Sequence, residues 1–130
     1  MASTAEYSSY IIDMCTAMLE NRQGLTDEQA KRVYRIRKQT VRFITAYLQH
    51  ESSDLPVLLE FLSTQSIAPL RLIVGHADMI LDGRCGRVHP DYGRAIGEIR
   101  DCTHAIYEEL EDMYNHLNNL MGMLDPAPQD

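Results

Sequence analysis

The feature that most constrains this chain is a seam of mainly apolar residues in its last third. Ile96, Ile99, Thr103, Ile106, Leu110, Met113, Leu117 and Leu120 recur at alternating intervals of three and four. That spacing puts them on one face of a helix and predicts that the face packs against other helices. The helix is expected to begin near Pro90 and to run past Asp112 to about Met123. Upstream, the stretch from Ser63 to Pro90 starts as an apolar-striped helix and ends in a turn bracketed by Gly83 and Gly86. Pro69 lies well inside that helix. It lacks the amide that would bond to Gln65 and should bend the helix there.

The rest of the chain reads the same way. Residues 1 to 4 are expected to fray. From Ala5 to about Asn21, Tyr7, Tyr10, Ile11, Met14, Met18 and Leu19 recur at helical spacing. Arg22-Gln23-Gly24 should stop that helix, with Gly24 suited to the left-handed position beyond its end. Thr26-Asp27-Glu28-Gln29 is a capping box and the clearest helix start in the sequence. The helix it opens should reach about His50, with Val33, Ile36, Thr40, Phe43, Ile44 and Tyr47 inward. Lys31, Arg35, Lys38 and Arg42 form a basic stripe on its other side. Glu51 to Asp54 is a short polar linker. Asp54 can cap the third helix, and Pro56 suits its first turn.

At 130 residues a single compact helical domain is expected over 1–124, with hairpins at 5–50 and 54–123 and a disordered tail at 125–130. The expected architecture is all-α, an antiparallel four-helix bundle. A net charge of −7 argues against nucleic acid, which needs a basic surface. The N-terminal residues do not read as a signal peptide. No apolar run approaches the ~20 residues of a membrane span, so no membrane partner is expected. Three cysteines, an odd number without paired spacing, suit free thiols in a reducing compartment, and the expected location is cytoplasmic.

The two halves can be laid over each other. Leu19-x-x-Arg22-x-Gly24 matches Leu81-x-x-Arg84-x-Gly86. Ile11, Cys15, Met18 and Leu19 fall on Ile73, Ala77, Ile80 and Leu81. After a one-residue gap Val33, Ile36, Thr40, Phe43 and Tyr47 fall on Ile96, Ile99, Thr103, Ile106 and Leu110, and Arg37 falls on Arg100. A duplicated hairpin and chance agreement between two amphipathic hairpins both account for this.

Pro69-Leu70, Ile73-Val74-Gly75, Ile80-Leu81-Asp82-Gly83, Gly86 and Pro90 also carry a resemblance. In that order they resemble the dimerisation and phosphoacceptor domain of sensor histidine kinases, over about Leu62 to Leu120. The resemblance implies a kinase-like helical hairpin, and with the repeat two such hairpins in tandem. It also implies a phosphorylated histidine five residues before the proline, where this chain has Thr64. A threonine hydroxyl cannot replace imidazole, because its pKa is far too high. Neither an asparagine motif nor glycine-rich nucleotide motifs occur in these residues, so no ATP-driven reaction and no cofactor are expected of them.

Around the degenerate position, Glu60, Thr64, Arg71 and Asp78 share the polar side of the third helix and are the candidate partner-binding residues. His76 is the remaining candidate for phosphotransfer, because a neutral imidazole is the side chain suited to that chemistry. His104 lies beside Thr103 on the last helix. His89 should cap its turn, and His50 and His116 should be solvated. His76 and Asp78 point in different directions, and no His-x-x-x-His or Glu-x-x-His pair occurs on one helix face, so no metal site is expected. Cys85, in the glycine turn, should be the most exposed thiol. The acidic run Glu108-Glu109-Glu111-Asp112 is expected either to attract the basic stripe weakly or to leave it free for a charged partner.

The apolar segment before Pro69 has no counterpart in the first half. With the end of the last helix it suggests a homodimer joined at Leu59, Leu62, Leu117 and Leu120. The expected function is therefore non-catalytic: an interaction and dimerisation module of two-component signalling that contacts a response-regulator receiver domain or a sensor kinase. The alternatives are a histidine phosphotransfer protein using His76 and a purely structural helical dimer.

Overall fold

A computed structural model describes residues 3–124. The expected loose tail at 125–130 lies outside the described residues. Five α-helices run in order: α1 (Thr4–Glu20), α2 (Asp27–His50), α3 (Leu55–Glu60), α4 (Ile67–Leu81) and α5 (Pro90–Leu124). A short 3-10 turn, Arg22–Gly24, follows α1, and a π-turn, Phe61–Gln65, joins α3 to α4. No strand occurs among the described residues.

The structure corrects the start of the chain. Thr4 is not frayed: the Ser3 hydroxyl accepts from the Glu6 amide at 3.2 Å, and Thr4 itself is buried, with its amide donating to Glu109 of α5 at 3.0 Å. On α1 the buried residues are Thr4, Ser8, Ile11, Cys15 and Met18, while Tyr10 is about half exposed. The buried Ser8 hydroxyl escapes a desolvation cost by donating to the Thr4 carbonyl at 2.8 Å. Burial pushes the Cys15 thiol up to about 12.

Helix α2 lies against α1 and α4, and α5 lies against the same two helices. Side chains from all of them meet in one core that includes Ile11, Val33, Ile36, Leu70, Ile73, Ile96, Ile99 and Ile106. Cross-links show how the helices align. Between α1 and α5 they join Thr4 to Glu109 and Tyr10 to Glu98, and Tyr92 to Asn21 just past the end of α1. Along α2 they join Thr26 to Cys85, Arg32 to His76 and His50 to Phe61. In both series the number rises on one segment as it falls on the other, so the two interhelical turns meet at one end.

That end is clamped by the capping box. Thr26 accepts from the Gln29 amide and Gln29 accepts from the Thr26 amide, each at 3.0 Å. The same two side chains reach across to the second turn. The Thr26 hydroxyl donates to the Cys85 carbonyl at 2.7 Å, and Gln29 Nε2 donates to the Gly86 and Arg87 carbonyls at 3.2 and 3.1 Å. Gln29 can be buried because its amide group is fully bonded. Gly86, at φ +106, is the residue this approach requires, since a Cβ there would meet Thr26 Cγ2 at 3.0 Å. Gly24 does not occupy the left-handed conformation expected of it. It is glycine because an added Cβ would sit 2.3 Å from the Tyr92 ring.

Pro69 does not lie well inside a helix as expected: α4 begins at Ile67, so the proline stands in its first turn. The five-residue π-turn lies just upstream, and the Ser66 amide bonds to the Phe61 carbonyl at 2.9 Å. Asp54 precedes α3 but its side chain makes no capping bond.

Candidate interaction surface on helix α4

Leu70, Ile73, Ala77 and Ile80 turn α4 into the core. That leaves Arg71, Leu72, Gly75, Asp78 and Asp82 towards the outside, with His76 and Met79 at the flank. Of the expected partner-binding set, Glu60, Thr64 and Arg71 are exposed and Asp78 is half-buried. The π-turn brings Thr64 back onto Glu60, whose carbonyl accepts its hydroxyl at 2.7 Å. Asp78 is held by Arg100 of α5 at 3.3 Å, which removes part of its charge from any partner. Arg71 stands between two grooves: one of about 480 Å³ on the outer side of α4, and one of about 530 Å³ beside the π-turn, lined also by Leu70, Tyr107 and Tyr114.

The outer groove has an apolar floor that the sequence did not single out. Leu72 is 47% exposed, Met79 lies seven residues on, and an added Cβ on Gly75 between them would meet nothing within 4 Å. The available signal was a Leu and a Met at heptad spacing around a mid-helix glycine, which weakens a helix unless something uses the gap.

His76 lies in the wall of this groove. Arg32 Nη1 of α2 is 3.0 Å from its Nδ1. A guanidinium has no acceptor, so Nδ1 must accept and the ring proton must sit on Nε2. Burial first, then the charges of Arg32 and Arg35, hold the imidazole below its ordinary pKa. The ring is neutral near pH 7, with its single lone pair already engaged. Arg84 and Asp82, also in the groove wall, pair with each other at 3.7 Å.

Several site expectations change. Leu59 and Leu62 are buried in this chain's own core, 8% and 5% exposed, because the π-turn and α3 fold onto α5. They are not a free dimer face. Leu117 is half-buried and Leu120 is exposed. Cys85 is buried rather than the most exposed thiol, since Thr26 and Gln29 clamp its turn; Cys102 is the more accessible one. His50 is not solvated: it stacks on Phe61 with ring centroids 4.4 Å apart and bonds to the Ala46 carbonyl at 2.8 Å. His116 and His104 are exposed, and His89 accepts from the Asp91 amide at 3.2 Å.

The basic stripe does not meet the acidic run. Among the described residues the ion pairs join Arg22 to Asp27, Arg84 to Asp82, His89 to Asp91 and Arg100 to Asp78. No cluster of three His, Cys, Asp or Glu side chains among the described residues could hold a metal ion. One segment, Leu55–Leu81, has the length and overall composition to cross a membrane, although Glu60, Arg71 and Asp78 interrupt it and a third of its most apolar window is buried. By length and composition this segment corrects the expectation that no apolar run approaches a membrane span.

Comparison with known proteins gives no match to a family model, a curated protein or a solved structure.

Proposed function

We propose that this chain is a non-catalytic, histidine-kinase-like antiparallel four-helix bundle, built from two tandem hairpins, that works by protein contact through the outer face of α4. In this reading its partner is a receiver domain or a sensor kinase of a two-component pathway, as the resemblance around Pro69 implies. The observation that carries it is the α4 face itself. An exposed leucine, a bare glycine and Arg71 lie together over a groove, while the neighbouring histidine has no free lone pair. Apolar contact beside an exposed cation is what a small docking site needs, and nothing in the groove is poised to move a proton. Three unpaired cysteines suit a reducing cytoplasm.

The tandem origin is supported by burial. Thr4, Ser8, Ile11, Cys15 and Met18 of α1 are buried, and so are their counterparts Ser66, Leu70, Ile73, Ala77 and Ile80 at α4. Arg37 bonds to Thr16 at 3.3 Å where Arg100 bonds to Asp78 at 3.3 Å. Thr40 and Thr103 each donate to the carbonyl four residues back at 2.8 Å. Periodicity alone repeats apolar spacing. It does not repeat polar pairs.

Copurification from expressing cells, with Leu72→Asp and Gly75→Arg as interface variants, tests the reading. Recovery of a receiver or kinase that both variants abolish supports it, and the absence of any two-component protein overturns it. Phosphotransfer through His76 is the second reading, favoured by its neutral ring and by Arg32, Arg71 and Arg84 in the groove wall. It requires the Arg32 bond to Nδ1 to open, or the ring to change tautomer. Acid-labile label taken from a phosphorylated receiver and lost in His76→Ala would establish it. A homodimer joined at the α5 end would use Leu117 and Leu120 with Met123, which is 74% exposed. Sedimentation of Leu120→Asp against the parent chain tests that.

A further inference from the structure

Helix α2 carries six of the chain's twelve Lys and Arg residues: Lys31, Arg32, Arg35, Arg37, Lys38 and Arg42. Its inward face is taken up by the core from Gln29 to Tyr47. Its outward face has an order of its own. Tyr34, Val41 and Leu48 are 52%, 44% and 52% exposed and stand seven residues apart. Lys31 and Lys38 precede the first two by three residues, and Arg35 and Arg42 follow them by one; all four cations are exposed. At about 100° per residue the four cations lie along one edge of this line, so the face offers an apolar strip with a charged margin to a second helix laid alongside it. Isolated surface apolar residues need no explanation, but three in heptad register are a line rather than a scatter. The line begins at a groove of about 470 Å³ that Leu19, Ala30 and Tyr34 floor and Lys31, Arg35 and Lys38 edge.

We propose that the outward face of α2 docks an acidic amphipathic helix of a partner protein, its apolar seam on Tyr34, Val41 and Leu48 and its carboxylates on Lys31, Arg35, Lys38 and Arg42. Charge selects this occupant. The four cations have no carboxylate partner within the chain among the described residues, although the chain as a whole carries −7. An anionic membrane or nucleic acid would feel that net charge over a screening length of about 10 Å, whereas one helix lying in the stripe feels the local cations first. The apolar line is also one residue wide, which fits a cylinder better than a plane. From Lys31 to Leu48 the face is about 26 Å long at 1.5 Å per residue, so the complementary helix has roughly eighteen residues. This surface is separate from the α4 groove and stands or falls without it.

The test uses the full chain and a labelled synthetic helix with leucine in heptad register and glutamate on both flanks, followed by fluorescence anisotropy. Binding is expected at low salt and should weaken about tenfold or more in Arg35→Glu/Arg42→Glu, a change of about 1.4 kcal/mol. Val41→Asp/Leu48→Asp should weaken it comparably, while a scrambled peptide of the same composition should not bind. All four positions are exposed, so circular dichroism is expected to remain that of the parent chain. No binding, or binding equal in parent and charge-reversed chains, overturns the proposal. So does binding of phosphatidylglycerol vesicles with the same variant sensitivity when the peptide is not held, which would assign the face to a membrane. Self-association abolished by the same variants, again without peptide binding, would assign it to a second copy.

Discussion

The two helical pairs α1–α2 and α4–α5 bury the same register and expose opposite chemistry. Inside, Ile36 and Ile99, Val33 and Ile96, and Ile11 and Ile73 are all fully buried in one core. Outside, α2 carries a free cationic stripe, whereas α5 carries the acidic run Glu108-Glu109-Glu111-Asp112. The second pair alone has α3, the π-turn and a helix that continues beyond the reach of α1. The lesson is that packing constrains one face of each helix tightly and leaves the other free to diverge. Surfaces for partners are therefore sought where the two pairs differ.

The largest expected effect tests the equivalence of the cores. Ile36→Ala and Ile99→Ala should each cost about 2–5 kcal/mol, within about 1 kcal/mol of one another, by urea denaturation. A large imbalance would break the comparison. The turns come next, because they differ in why they need glycine. Gly24→Ala must displace the Tyr92 ring, and Gly86→Ala must hold a residue at φ +106 against Thr26, so each should cost roughly 1–3 kcal/mol. Gly75→Ala, facing open space in a helix, should stabilise by up to about 1 kcal/mol while filling the floor of the α4 groove. Retained stability with lost partner recovery in that variant would sharpen the distinction between packing and contact.

Smaller still is the polar pair at the matched position. Thr16→Asp should give Arg37 the partner that Arg100 already has, and Asp78→Thr should remove it. Thermal unfolding is expected to shift by about 0.2–1 kcal/mol in opposite senses, since the existing pair is partly exposed. The smallest effect is the pH dependence of His76, which has Met14 as its counterpart in the first pair. Its folded pKa is lowered, so the unfolded chain binds the proton more readily. Its contribution is complete above the unfolded value of 6.5 and is lost as the pH falls below it. Stability of the parent chain should therefore decline more steeply from pH 7 to pH 5 than that of His76→Gln. A parallel decline would mean that burial and the charges of Arg32 and Arg35 do not lower the ring's pKa.

Much of the helix layout was legible from short-range signals. The capping box at Thr26, the inward series from Val33 to Tyr47, the seam from Ile96 to Leu110 and the stop at Gly83 depend on neighbours within a turn or two. The outer face of α4 was half legible. Glu60, Thr64, Arg71 and Asp78 were identified by helical phase, but phase could not say that Arg100 would take Asp78 or that Arg32 would take the lone pair of His76. Those partners are separated by 22 and 44 residues in sequence.

By itself the sequence determined the helical class, where most helices begin and end, and which side of α2 and α5 faces inward. Periodicity and caps are properties of consecutive residues, and they act before any helix meets another. The tertiary structure decided what depends on which helices become neighbours. It put α2 against α1 and α4 rather than against the acidic run, leaving the basic stripe unpaired. It buried Leu59 and Leu62 within the chain, and it folded Cys85 under Thr26 and Gln29. Burial and ion pairing are set by distances between segments remote in the chain, and those exist only once the helices have packed.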